Sequence, residues 1–162
     1  MSKIIFPGSF DPITKGHIDL IKRAESIFDE VIILITNNHM KNSLIPIDDK
    51  VELVKCSLIE NNIKQFEVAV TSKMLVDFCH ERDIFLILRG LRNTTDLSFE
   101  HNMSIHNQLL DSRIETICLL TKQNLFHVSS SAVRELIVYK KDINHLVPNC
   151  VSEYFEEKNE NL

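Results

Sequence analysis

Ile4-Ile5-Phe6-Pro7-Gly8-Ser9-Phe10-Asp11-Pro12-Ile13-Thr14-Lys15-Gly16-His17 runs from an apolar strand, through a turn, into the first residues of an amphipathic helix. Two prolines, two glycines and a serine stand in the junction, and the helix is predicted to begin at about His17. A strand–turn–helix junction gathers backbone N–H groups at a helix N-terminus, an arrangement that suits a phosphate group. Thr14-x-Gly16-His17 is more specific than a generic glycine-rich loop, and it points to nucleotide chemistry at the start of the chain.

Outward from this junction, short apolar strands alternate with helical patterns. Leu20, Ile21, Ala24, Ile27 and Phe28 recur at helical spacing after His17. Residues 31–35 form a continuous apolar run, as expected of a central strand covered on both faces. After a polar loop over 36–43, Asp48 or Asp49 is expected to cap a helix carrying Val51, Val54 and Leu58. Residues 66–70 read as a third strand and 74–81 as a short helix. Residues 84–88 read as a fourth strand that ends at Arg89-Gly90. Thr95 or Asp96 is expected to start a longer helix to about Leu110, and residues 116–120 form a fifth strand. Ser129-Ser130-Ser131 opens a further helix with Val133, Leu136 and Ile137 inside it. Pro148 is placed in the first turn of a last helix with Val151, Tyr154 and Phe155 on its apolar face. The polar tail from about residue 157 is expected to fray.

This alternation predicts an α/β fold: one domain over residues 1–162, with a Rossmann-like five-stranded parallel sheet and helices on both faces. In such sheets ligands bind outside the carboxyl ends of the strands. Ser9, His17, Lys41, Arg89, Arg92 and the three serines follow strands one, two, four and five, so they should converge on one sheet edge. The three glycines, Gly8, Gly16 and Gly90, all fall in the candidate loops, where close ligand approach or unusual backbone angles favour them.

Composition narrows the partners. The chain of 162 residues is 44% hydrophobic and 25% charged, ordinary for a globular domain. Its net charge of −5 disfavours non-specific binding to nucleic acid or an anionic membrane. No apolar run reaches the roughly 18 residues of a membrane span, and the N-terminus enters strand-like sequence with no signal peptide. Cys56, Cys79, Cys118 and Cys150 are too widely spaced for a C-x-x-C motif and read as buried thiols of a reducing compartment, the cytoplasm. His101 and His106, five apart on a predicted helix, do not share a face and are read as non-ligands.

Taken singly, the polar residues of the loops have bland explanations. A first-turn histidine usually faces solvent, Lys41 is an ordinary solvated lysine, and two loop arginines are surface charges more often than ligands. Together they suit anions: guanidinium forks match phosphate oxygens. An N-cap needs only one serine, whereas Ser129, Ser130 and Ser131 offer several hydroxyl and N–H donors.

Thr14-x-Gly16-His17 resembles the (H/T)-x-G-H element of the nucleotidyltransferase superfamily. The longer F-P-G-S-F-D-P-I-T-K-G-H string is similar to that of the bacterial phosphopantetheine adenylyltransferases. Arg89-Gly90-Leu91-Arg92, then Asp96 and Phe99-Glu100, then Val128-Ser129-Ser130-Ser131-x-Val133-Arg134-Glu135, match that family in order and spacing. The resemblance covers about residues 3–151. It implies transfer of the adenylyl group of ATP to 4′-phosphopantetheine, giving dephospho-coenzyme A and pyrophosphate.

By the same resemblance, His17, Lys41 and Arg92 are the catalytic residues. ATP would meet Ser9, Phe10, His17, Gly90, Leu91, Arg92, Glu100, Leu125, Phe126, His127, Val128, Ser129, Ser130 and Ser131. Which of Leu125, Phe126 and His127 covers the adenine stays open. Ser9, Lys41, Leu75, Arg89, Met103 and Asn107 would meet the phosphopantetheine; at Leu75 and Met103 ordinary helix-face core is an equal reading. The family often shows N-P-x-K-x-x-x-F around its lysine, where this chain has Asn37-Asn38-His39-Met40-Lys41-Asn42-Ser43-Leu44-Ile45. The resemblance also implies Mg²⁺ arriving with ATP, a homohexamer, and coenzyme A as a feedback inhibitor. Alternatives are a nucleotidyltransferase with another phosphate acceptor, such as a cytidylyltransferase or a nicotinamide-mononucleotide adenylyltransferase, and a non-catalytic nucleotide-binding module. A class I aminoacyl-tRNA synthetase shares the x-x-G-H element, but this chain lacks the length and basic surface for tRNA.

Overall fold

The structure, a computed structural model, describes residues 1–37 and 42–160. Five parallel strands form one sheet: β1 (Lys3–Gly8), β2 (Glu30–Thr36), β3 (Phe66–Thr71), β4 (Leu86–Leu91) and β5 (Glu115–Leu120). Their order is β3-β2-β1-β4-β5. The chain winds outward from β1 to β3, then returns to the other side of β1 for β4 and β5. The carboxyl ends of β1 and β4 therefore flank the point where winding reverses, where an open α/β sheet leaves a crevice.

Among the described residues, α1 (Lys15–Glu25), α2 (Ile47–Glu60), α3 (Leu75–Arg82) and α4 (Thr94–Leu110) connect the strands, and α5 (Ser130–Val138) and α6 (Asn149–Glu160) follow β5. Side-chain alternation along the central strands feeds two cores. Ile4, Phe6, Val31, Ile33 and Ile35 pack with Ile21 and Ala24 of α1, Val54 and Leu58 of α2, Val133 of α5 and Val151 and Phe155 of α6. Ile5, Ile32, Leu34 and Ile87 face the other way, onto Val76, Phe78 and Cys79 of α3. Residues 31–35 are fully buried, as a two-faced central strand must be. None of the helices is long and apolar enough to cross a membrane among the described residues.

Several expected boundaries move. β4 runs on through Arg89 and Gly90 to Leu91, so these three belong to the strand and only Arg92 follows it. The α2 cap position is Pro46, which makes no side-chain cap bond; Asp48 and Asp49 sit in the first turn, where their charge complements the helix dipole. α4 is capped by Asn93, whose side chain accepts from the Asp96 N–H, rather than by Thr95 or Asp96. Pro148 lies just outside α6, its carbonyl accepting from Val151 and Ser152. That helix continues to Glu160. Of the four cysteines only Cys79 is buried; Cys56 and Cys118 are exposed and Cys150 is half-buried.

Candidate active site

α1 begins two residues before His17, because Thr14 is its cap. The Thr14 hydroxyl accepts from the His17 N–H at 3.4 Å, and the Thr14 N–H donates to His17 Nδ1 at 3.0 Å. This is a capping box with histidine in the place where glutamate or glutamine is common. It also settles the tautomer. A backbone N–H can only donate, so Nδ1 is bare, and the neutral ring carries its proton on Nε2. Burial, followed by the positive charges of Arg89 and Arg92, depresses the His17 pKa from 6.5 to about 4. The imidazole is therefore a neutral donor at physiological pH.

Phe10 fixes the ring from behind. Its backbone is left-handed, with φ of 44°, an uncommon state for a bulky residue. That turn buries the phenyl ring edge-on to both His17, at 5.1 Å between centroids, and Phe6, at 5.7 Å. Phe10 is thus a buried wedge at 2% exposure and is not among the residues lining the cleft. No glycine has positive φ. Close approach explains the best case: a Cβ on Gly90 would come within 2.3 Å of Leu20 Cδ1.

Asp11 anchors the same loop. It is buried and accepts from the Ser43 hydroxyl and the Leu44 and Ile45 N–H groups at 2.9–3.1 Å, with Lys50 Nζ at 3.4 Å. Burial pushes its carboxyl pKa up, but these donors and the lysine together outweigh it and leave the group below the usual carboxylate value. The Asp11 carbonyl accepts from Arg134 Nη1 at 2.9 Å, and Arg134 Nη2 donates to the Ser131 hydroxyl at 3.1 Å. One residue thus ties the first loop to the segment entering α2 and to the start of α5.

Arg89 is clamped. Its Nε and Nη2 form a bidentate pair with Glu100 at 2.7 and 2.6 Å, and Nη1 donates to the Pro7 carbonyl at 2.9 Å. Glu100, the one buried residue of α4, orients this arginine. Arg92 is gripped similarly by Asp96, through its backbone N–H, Nε and Nη2. The Arg92 side-chain bonds, set against burial, hold the Asp96 carboxyl below its ordinary pKa. A guanidinium has five N–H donors, so both arginines keep some in reserve.

These groups border a single cleft of about 420 Å³ at the β1/β4 switch point. Among the predicted residues, Ser9, His17, Arg89, Gly90, Arg92, Glu100, Val128, Ser129, Ser130 and Ser131 line it. Ser129 caps α5 by accepting from the Ala132 N–H, and Ser130 donates its hydroxyl to the Pro12 carbonyl, so the N-terminus of α5 stands at the cleft. Leu91 is buried in β4, and Leu125, Phe126 and His127 lie outside the lining. Leu75, Met103 and Asn107 are likewise not brought to the cleft. Lys41 lies outside the described residues. Thr121 and Arg134 line the cleft although neither was expected to; Arg134 stood in the serine motif, but its direction depends on a contact 123 residues away in sequence. Three arginines against two carboxylates give a locally cationic cleft in an acidic chain.

The cytidylyltransferase-like family model matches residues 5–136. A crystal structure assigned to a nicotinate-nucleotide adenylyltransferase from Vibrio parahaemolyticus superimposes with a TM-score of 0.70, at 20% identity, covering 94% of this chain and 91% of that one. That likeness speaks for the fold, and the chain belongs to the cytidylyltransferase-like family. The phosphopantetheine adenylyltransferase of Nautilia profundicola is 39% identical over 148 residues, 91% of this chain and 95% of that protein. That of Shouchella clausii is 38% identical over 157 residues, covering 97% and 98%. Within its family, the chain is therefore a member of the phosphopantetheine adenylyltransferases.

Proposed function

We propose that the cleft transfers the adenylyl group of ATP to 4′-phosphopantetheine, giving dephospho-coenzyme A and pyrophosphate. The observation carrying this reading is a neutral His17, its Nε2–H without a hydrogen-bond partner among the described residues, in one cleft with Arg89, Arg92 and the N-terminus of α5. The nucleophile is an anionic phosphate oxygen, so no strong general base is needed. What the reaction lacks in water is alignment and a way for two anions to approach. The arginines offset that repulsion, and His17 donates to charge developing on the α-phosphate. One such donor is typically worth on the order of 10²–10³ in rate. A histidine already protonated would lose the Thr14 bond that orients it.

Ser9 and the serines at α5 would receive the nucleotide phosphates, and Lys41 with Arg89 the acceptor phosphate. Leu75, Met103 and Asn107 would meet the pantetheine arm beyond the cleft. Magnesium enters as part of the MgATP substrate. Both carboxylates lining the cleft are held by arginines, an arrangement that suits an ion carried by the triphosphate. Coenzyme A, sharing the product's skeleton, would compete for the cleft. The reading also includes a cytoplasmic homohexamer.

Pyrophosphate release tests this reading, with ATP, magnesium and 4′-phosphopantetheine against nicotinamide mononucleotide and glycerol phosphate as acceptors. Turnover with phosphopantetheine alone is expected. Preference for either other acceptor would move the enzyme elsewhere in its family.

A further inference from the structure

Cys56 and Glu60 stand one turn apart on α2, and Cys150 opens α6 against them. Cys56 Sγ, Cys150 Sγ and a Glu60 carboxylate oxygen all lie within 4.8 Å of one another. Tetrahedral zinc, with bonds near 2.3 Å to sulfur and near 2.1 Å to oxygen, places its ligands roughly 3.5–3.8 Å apart. The three atoms are therefore within a small side-chain adjustment of sharing one ion. Glu60 accepts from the Asn149 N–H at 2.8 Å and the Cys150 N–H at 3.4 Å, which pins the carboxylate beside the thiols. A carboxylate offers about four lone-pair positions, so it can still ligate. Cys56 is exposed and Cys150 half-buried, so an aqueous ion can enter and a water can complete the shell. None of these residues lines the catalytic cleft.

We propose that Cys56, Glu60 and Cys150 form a binding site for a thiophilic divalent cation of the zinc type, with water as fourth ligand, fastening α2 to α6. Binding forms two metal–sulfur bonds and sends two thiol protons to solvent, with no change of oxidation state. Burial, and then the neighbouring Cys56, push the Cys150 thiol up to about 12, so the metal-free site holds its protons and the ion must displace them.

The test is titration of the full chain, stripped with chelator under a phosphine reductant, with cobalt(II) and then zinc. Expected are one equivalent bound, thiolate-to-cobalt charge-transfer absorption that zinc abolishes, two protons released per ion, and a raised Tm. Cys56→Ser and Cys150→Ser should each remove the absorption, while Cys118→Ser, an exposed thiol elsewhere, should keep it. Glu60→Gln should weaken binding about tenfold or more. Adenylyl transfer, expected unchanged in both serine variants, shows that they fold. Absence of the cobalt–thiolate band, its persistence in the Cys56→Ser/Cys150→Ser double variant, or a Cys56–Cys150 disulfide in place of metal binding would overturn the proposal.

Discussion

His17 illustrates how one backbone bond selects a tautomer. The Thr14 N–H occupies Nδ1, and the two arginines add to burial in keeping the ring neutral. The pH consequence has a definite sign. The folded pKa, about 4, lies below the ordinary 6.5, so the unfolded chain takes up this proton first as pH falls. Stability from the neutral ring is complete above about 6.5 and is lost as pH drops toward 4. Denaturant melts between pH 7 and 4.5 should show the native protein losing stability relative to His17→Gln, whose amide does not titrate. Equal losses would mean that the ring is not depressed. The place of His17 in the cleft was legible in the sequence, through Thr14-x-Gly16-His17. Its tautomer was not, because that depends on the Thr14 cap of a helix that starts at Lys15, two residues earlier than expected. The burial of the Phe10 ring was not legible for a related reason: it follows from a left-handed backbone that turns the side chain into the core behind His17.

At the scale of elements, Asp11 couples three of them. Its carboxylate holds residues 43–45 and pairs with buried Lys50, while its carbonyl receives Arg134. Removing one member of such a pair leaves the other charge buried, at a cost of about 3 kcal/mol. Asp11→Ala should therefore lower unfolding free energy by about that amount, measured by denaturant titration. It should also raise the acceptor KM more than the ATP KM, since the tethered segment leads from Lys41. Unchanged stability and KM would show the clasp to be incidental. The alternating strands and helices were readable because 3.6- and 2-residue periods survive in sequence. The reach of β4 through Leu91 was not, because Arg89 and Gly90 resemble loop chemistry until pairing with Cys118 and Leu119 on β5 places them in the sheet.

At the scale of the whole molecule, α4 is the anomaly. It buries only Glu100 and leaves Leu97, Phe99, Ile105, Leu109 and Leu110 exposed. A row of exposed apolar side chains along one helix is the mark of a contact surface. The proposed homohexamer gives it a partner, so Leu109→Glu with Phe99→Glu should shift light-scattering mass from hexamer toward smaller species. A hexamer of undiminished stability in that variant would place the interface elsewhere. The helix itself was readable in sequence, but whether its apolar residues serve an interface or a core was not, since both look alike there.

The most direct check on His17 as a transition-state donor is to compare His17→Ala with the native enzyme in steady-state pyrophosphate release and in equilibrium ATP binding. kcat should fall on the order of 10²–10³ while the ATP Kd changes only a few-fold. A weakened ATP Kd with kcat intact would mean that His17 merely binds nucleotide.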